Sequence, residues 1–229
     1  MAPGAATRTE EDVPMKRAIL ATSAVVAVGG AAARWRWHDW GATPEEKARR
    51  YPGDDLVPEP TDAVTRAVAV DAPPEAVWPW LVQIGQDRGG MYSYDWLENL
   101  FGLDIHSTDE LRAEWQSLKA GDRVVVVPPG MFGMPDGYAF PVAEVEPNHH
   151  LVLRQSPPEH PWNAVWTFVL EPDGDGRCRL VSRSRSTRPT GGAAMPLRVA
   201  TAMMDPVTLL MTRRMLLGIK ERAERSLAS

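Results

Sequence analysis

Residues 72–107 read APPEAVWPWLVQIGQDRGGMYSYDWLENLFGLDIHS, and the helices predicted in this stretch separate the first strand from the others. Pro74 suits the first turn of a helix, because its missing N–H would have no partner there. Apolar residues then recur at helical spacing until Gly85, which predicts an amphipathic helix that ends at this glycine. Ser93 is expected to cap a second short helix that ends at Gly102. Short helices are therefore predicted in the middle of the chain.

Period-two alternation on both sides of this stretch predicts β-strands. The first covers residues 64–70, and five more follow at residues 123–127, 138–146, 151–155, 162–171 and 178–188. A further short helix is predicted over residues 110–118. Asp205 and Pro206 are expected to begin a long C-terminal helix that continues to Leu227. This order predicts the α+β class, with an antiparallel sheet and short helices after its first strand.

The first 62 residues are interpreted as lying outside the folded domain. Residues 1–17 are predicted to be a disordered tail. Residues 18–40 contain an uncharged run with Trp and Arg after it, which favours a membrane anchor. A cleaved signal segment and a segment of neither kind are the alternatives, so a cytoplasmic or secreted protein stays open. Residues 41–62 are rich in Pro, Gly and acidic residues and are interpreted as a linker, which leaves residues 63–229 as the domain.

Composition excludes several function classes. The formal net charge is -5 and the pI is about 5.6, so a basic surface for nucleic acid is not expected. Cys178 is the single cysteine, and no Cys/His motif predicts a zinc site. His149 and His150 are adjacent, and consecutive strand residues point to opposite faces, so both are interpreted as surface residues that bind no metal. No P-loop or GxSxG motif occurs, and no cofactor is expected.

Three stretches carry a resemblance to a known family. Residues 72–107, PGDDLVPEP at 52–60 and RRMLLGIKERAE at 213–224 resemble bacterial proteins of the SRPBCC superfamily, often labelled START-like or polyketide cyclase/dehydrase-like. The resemblance covers residues 40–227. It implies the helix-grip fold, in which a curved antiparallel sheet wraps around a long C-terminal helix and leaves a cavity. It names no ligand, because the superfamily includes lipid carriers, cyclases, hydrolase-like enzymes and passive binders.

The strand at 178–188 carries serines on one face and arginines on the other. Small side chains facing the long helix would leave space for a ligand, whereas solvent-facing serines are the alternative. Met side chains on the helix could adapt to apolar ligands, although core packing is the commoner role. The predicted binding partner is thus a small hydrophobic molecule. The predicted ligand-binding residues are Tyr92, Tyr94, Trp96, Trp166, Phe168, Ser182, Ser184, Met211 and Met215.

Four residues are candidates for acid–base catalysis: Tyr92, Tyr94, Asp95 and His106. Each could move a proton, provided that burial raised the pKa of Asp95 toward neutrality. The alternative is a structural role for each residue. Three hypotheses follow. The first is binding of a lipid-like or polycyclic ligand, the second is a cyclase or dehydratase, and the third is a membrane-anchored interaction module without a ligand.

Overall fold

A computed structural model describes residues 38–131, 134–156, 163–187 and 195–228, with the backbone alone for residues 195–204. The predicted tail and almost all of the predicted anchor lie outside these ranges. Residues 39–229 form one compact unit. None of the helices in the described ranges combines the length and the hydropathy of a membrane span.

A six-stranded antiparallel sheet forms the centre of this unit. The spatial order is β1-β6-β5-β4-β3-β2, so β1 and β2 are the edges. The strands lie close to their predicted positions, which confirms the α+β class and the antiparallel sheet followed by a C-terminal helix. They are β1 (Asp62–Val70), β2 (Arg123–Val127), β3 (Tyr138–Glu146), β4 (His150–Gln155), β5 (Ala164–Pro172) and β6 (Cys178–Ser186).

In the part of the chain that the structure describes, four α-helices accompany the sheet. They are α1 (Pro44–Ala48), α2 (Pro74–Val82), α3 (Asp95–Leu100) and α4 (Met195–Ala228). Helix α2 begins at Pro74 as predicted. Helix α3 is preceded by Tyr94 and has no side-chain cap, because the Ser93 hydroxyl donates to the Glu98 carboxylate instead. The helix predicted over residues 110–118 is only a single 3-10 turn at Ala113–Trp115.

The start of α4 differs from the prediction. Asp205 and Pro206 were expected at its first turn, yet α4 begins at Met195 and contains Pro206 in its interior. The rule that places proline in the first turn depends on its missing N–H. An internal proline removes one backbone hydrogen bond, and a long helix with tertiary contacts on its remaining turns tolerates that loss.

The main core lies on one face of the sheet, the inner face, where α2 and α4 pack. Helix α4 contributes Met215, Leu216, Ile219 and Ala223, all buried. Leu180 and Ser182 of β6 are also buried. The pairing register places Ser182 beside Phe168 and Ser184 beside Trp166, so the serines share a face with these aromatic rings. The serine face of β6 is thus the inner face.

The opposite, outer face is covered by residues 39–58, named here the N-terminal strap. Tyr51 packs against Ala67, Val169 and Val181, and Val57 packs against Val152 and Val165. The interpretation of residues 41–62 as a linker, with the domain beginning at residue 63, is therefore wrong. The turn-rich composition concealed two apolar side chains that cover the outer face.

Buried ion pairs attach the strap to the arginine face of β6. Arg183 Nε donates to Asp54 Oδ1 at 2.8 Å, and Arg183 Nη1 donates to Thr65 Oγ1 at 2.8 Å. Arg179 Nε donates to Glu46 Oε1 at 2.8 Å. Asp54, Glu46 and Arg183 are all buried. Because these charges face each other out of water, the strap is an integral layer of the domain.

Trp40 also belongs to the domain. Its carbonyl oxygen accepts from Ala67 N of the edge strand β1 at 3.0 Å. Its ring packs against the core and lies 4.9 Å from the Arg213 guanidinium carbon. The sequence interpretation placed Trp40 at the end of a membrane anchor, and its protein contacts correct this for the last two residues of that segment.

Candidate ligand-binding cleft

A cleft of about 380 Å³ lies between residues 92–107 and α4. It brings together four residues that the sequence singled out, because Tyr92, Tyr94, Asp95 and Trp96 all line it. Four others were missed. The complete lining is Tyr92, Ser93, Tyr94, Asp95, Trp96, Ser107, Arg214 and Arg222.

Hydrogen bonds within residues 92–107 fix one wall of the cleft. Asp95 Oδ2 accepts from Ser107 N at 2.7 Å, and Asp95 Oδ1 accepts from Ser107 Oγ at 2.6 Å. Ser107 Oγ in turn accepts from Tyr92 N at 2.9 Å. Tyr92 has a φ of 53°, a left-handed conformation that few non-glycine residues adopt. This loop is thus closed on itself by Asp95, whose two oxygens are both engaged.

Tyr92 joins this wall to α4. A Cβ atom at Gly218 would lie 2.3 Å from the Tyr92 carbonyl oxygen, so only glycine permits the approach. The Arg222 guanidinium carbon lies 4.5 Å from the centre of the Tyr92 ring, within cation–π range. The Tyr92 hydroxyl accepts from Gln83 Nε2 at 2.8 Å. Burial raises the pKa of Tyr92 to about 12, so the hydroxyl stays protonated and has a packing role.

The other wall carries the positive charge of α4. Arg214 Nη1 donates to Glu221 Oε1 at 2.7 Å, and this hydrogen bond raises the pKa of Arg214. Arg222 Nε donates to the Thr108 carbonyl at 2.8 Å, which fixes the guanidinium. Arg214 and Arg222 are eight residues apart and therefore share a helix face. This spacing was the sequence signal that could have identified them.

Two aromatic rings line the cleft, those of Tyr94 and Trp96. The Tyr94 and Trp96 ring centres lie 6.5 Å apart in an edge-to-face arrangement. Trp96 is 69% exposed, and Leu100 and Phe101 on the same short element are exposed as well. Tyr94 and Trp96 line the cleft together with the Arg214 guanidinium, and this combination suits a molecule with a flat apolar body and a group that accepts hydrogen bonds.

The acid–base candidates do not converge. His106 is exposed and its Nε2 lies 3.0 Å from the exposed Asp104 carboxylate, so it is not part of the cleft lining. Glu98, which belongs to the same stretch of sequence, is buried. Burial raises its pKa, and within the described residues its Oε2 atom has no hydrogen-bond partner. Glu98 does not line the cleft and touches it only through Ser93.

The remaining predicted residues lie on the inner face. Trp166 Nε1 donates to Ser182 Oγ at 2.9 Å, and the Trp166 ring centre lies 4.7 Å from that of Phe168. Trp166, Ser184 and Met211 are half-buried, whereas Phe168 and Met215 are enclosed by the core. These residues form an inner-face group, distinct from the cleft lining.

Arg66 belongs to the same inner face and was missed by sequence reasoning. It pairs in register with Ser182, is buried, and burial lowers its pKa. Among the described residues its Nε atom has no hydrogen-bond partner. The signal was present, because Arg66 interrupts the inward positions Val64 and Val68 of an otherwise apolar strand.

No protein-family model and no curated protein sequence matches the chain. Solved structures resemble it at low identity. A Thermobifida fusca protein is 18% identical with a TM-score of 0.43, covering 71% of this chain and 93% of its own. MLL2253 from Mesorhizobium loti is 17% identical with a TM-score of 0.39, covering 72% and 98%. CalU16 from Micromonospora echinospora is 16% identical with a TM-score of 0.32, covering 72% and 86%. Similarity at this level assigns neither a family nor a ligand.

Proposed function

We propose that the protein is a binding protein of the helix-grip, SRPBCC type that holds a small, largely apolar molecule with an anionic or hydrogen-bond-accepting group. The polar group meets Arg214 in the cleft, and the apolar body contacts Tyr94 and Trp96. The inner-face group of Trp166, Phe168, Ser182, Ser184, Met211 and Met215 stays a prediction for deeper contacts.

One observation carries this proposal: the cleft places the exposed Trp96 ring and the half-buried Tyr94 ring beside the Arg214 guanidinium in a volume of about 380 Å³. Sites for small molecules commonly enclose about 300–1,000 Å³ and combine apolar walls with a few polar groups. Tyr92 and Gly218 hold the two walls in contact at the base. The cleft is therefore preorganised, which reduces the entropy cost of binding.

The acid–base candidates support binding over catalysis. Asp95 uses both carboxylate oxygens to hold Ser107, and the Tyr92 hydroxyl is enclosed and protonated. His106 stands in solvent beside Asp104. A general acid or base must reach the reacting proton within hydrogen-bond distance, and only Tyr94 of the four presents a side chain not committed in this way.

The test uses 8-anilinonaphthalene-1-sulfonate, a fluorescent probe with an aromatic body and a sulfonate group, and the full-length protein. We expect saturable binding of one probe molecule. Trp96→Ala and Arg214→Gln should each weaken it by about tenfold, since each removes roughly 1.4 kcal/mol of contact. The matched controls are Leu227→Ala and Arg225→Gln, at exposed positions of α4 outside the cleft lining.

Two results would contradict the proposal. Equal probe binding by the cleft variants and the controls would exclude the cleft. Loss of binding in Leu100→Ser/Phe101→Ser but not in Arg214→Gln would instead favour the interaction module, with the exposed residues at the end of α3 as its surface. Mass spectrometry of solvent extracts from the purified protein would then identify any natural ligand.

A further inference from the structure

The turn between β3 and β4 brings three metal-ligating side chains together. Pro147 and Asn148 occupy its centre, and Asn148 has a φ of 61°, as a type II turn requires. His149 N donates to the Glu146 carbonyl at 3.1 Å and closes the turn. Because His149 belongs to the turn and His150 begins β4, their side chains do not alternate like consecutive strand residues.

The two imidazoles therefore face each other. His149 Nδ1 lies 2.8 Å from His150 Nδ1, and His150 is buried. This corrects the sequence interpretation of both histidines as surface residues pointing to opposite faces. Glu146 Oε2 lies 3.3 Å from His149 Nδ1 and 3.5 Å from His150 Nδ1. Within the described ranges, this is the one group of His, Cys, Asp or Glu side chains whose ligand atoms converge in this way.

These distances match one face of a coordination tetrahedron. Zinc bonds of about 2.0–2.2 Å at tetrahedral angles separate neighbouring ligand atoms by roughly 3.3–3.6 Å. The two distances to Glu146 already lie in or near this range. Only the two histidine nitrogens must separate, by about half an ångström, and His149 is half-exposed and free to do so.

A second carboxylate prepares His150 for metal binding. His150 Nε2 lies 2.9 Å from Glu144 Oε1, and a carboxylate only accepts, so the network assigns the proton to Nε2. The lone pair of neutral His150 is then on Nδ1, the atom that faces His149 and Glu146. Carboxylate–histidine contacts of this kind orient metal-binding imidazoles.

We propose that Glu146, His149 and His150 form a divalent transition-metal site that takes Zn²⁺, with Glu144 as its positioning residue. Two imidazole nitrogens and one carboxylate oxygen suit this class of ion. The half-exposed Glu146 and His149 leave the fourth coordination position open to water. A bound ion would join the end of β3 to the start of β4. This site is independent of the cleft and of the function proposed for it.

The experiment titrates Zn²⁺ into tag-free, chelator-treated full-length protein by calorimetry and follows Co²⁺ by its visible absorption. We expect one ion per chain and the intense bands of a tetrahedral cobalt site. His149→Ala should weaken binding by at least about a hundredfold, since it removes a ligand, and Glu144→Gln by about 10–100-fold. His106→Ala, an exposed histidine beside a carboxylate, is the matched control and should bind like the unmodified protein.

Absence of stoichiometric Zn²⁺ uptake by the unmodified protein would overturn the proposal. Equal weakening in His106→Ala and His149→Ala would also overturn it, because binding would then be non-specific. His150 is buried and its replacement could unfold the hairpin, so the half-exposed His149 is the decisive position. Circular dichroism of each variant shows that a loss of affinity is not a loss of fold.

Discussion

Two regions of the molecule are rich in arginine, but they place the arginine side chains in different surroundings. Under the N-terminal strap, Arg179 and Arg183 face the buried carboxylates Glu46 and Asp54. In the cleft, Arg214 pairs with the half-exposed Glu221 and borders an open volume. A charge enclosed with its partner holds two layers together, and a charge with one open side can meet a ligand. Substitutions on the two sides should therefore have different consequences.

The largest expected effect is on the strap side. Asp54→Ala removes the acid that faces Arg183 and leaves a buried cation without its partner. We expect the free energy of unfolding to fall by about 3–5 kcal/mol. Urea denaturation measures this loss. Asp55→Ala, at the exposed neighbouring position, should change stability by less than about 0.5 kcal/mol. A loss below about 1 kcal/mol for Asp54→Ala would show that the strap is not a stabilising layer.

Gly218→Ala perturbs the base of the cleft. The added Cβ would meet the Tyr92 carbonyl and push α4 away from residues 92–107. We expect a loss of about 1–3 kcal/mol, together with weaker binding of the anilinonaphthalene probe. Thr208→Ala on the exposed face of the same helix is the control for denaturation and binding. If Gly218→Ala lowered stability but left probe binding unchanged, the contact between Gly218 and Tyr92 would not contribute to the ligand site.

The pH dependence of stability in the Glu46→Gln variant tests the ion pair between the strap and Arg179. Burial opposes ionisation, but hydrogen bonds from Arg179 and from Thr43 N outweigh it and hold the pKa of Glu46 below its usual 4.5. The ionised carboxylate therefore stabilises the fold above pH 4.5, and this contribution is lost as pH falls through the lowered pKa. We expect the variant to lose about 1 kcal/mol at pH 7 and less at acidic pH. Thermal melts at a series of pH values measure the difference, and a constant difference would refute the ion pair.

Glu98→Gln should show the opposite pH trend and the smallest effect. Burial raises the pKa of Glu98 above its usual 4.5. Ionisation of Glu98 therefore lowers the stability of the fold as pH rises from 4.5 through the raised pKa. The amide cannot ionise and can still accept from the Ser93 hydroxyl. We expect the variant to match the unmodified protein below pH 4.5 and to exceed it by up to about 1 kcal/mol at neutral pH. Thermal melts at a series of pH values measure this difference as well. A stability difference that grows toward acidic pH would contradict the prediction.

The strands could be predicted because their pattern is local. Alternation in β1, β5 and β6 gave both the positions and the two faces of each strand. The strap could not be predicted in this way, because Tyr51 and Val57 are isolated among turn residues and most of their partners lie on distant strands of the sheet. A partial signal existed, since Arg179, Arg183 and Arg185 alternate on one face and buried arginines need acids.

The cleft was predictable in part for a similar reason. Tyr92, Tyr94, Asp95 and Trp96 are contiguous, so their sequence cluster is also a spatial cluster. Arg214 and Arg222 reach it only through the packing of α4 on residues 92–107. The facing of His149 and His150 was missed because strand periodicity was applied to a residue that belongs to a turn.

The position of Trp40 has a consequence for how the domain can be cut from the chain. Its carbonyl accepts from Ala67 N at the rim of the sheet, and the Asp39 carboxylate accepts from Thr65 N. A fragment starting at Thr43 would keep all six strands but would leave the N–H groups of Thr65 and Ala67 without these acceptors. The exposed edge of β1 would then be open to pairing with a second copy by strand addition. Asp39 and Trp40, the last two residues of the segment predicted as an anchor, thus cover two backbone amides at the edge of β1.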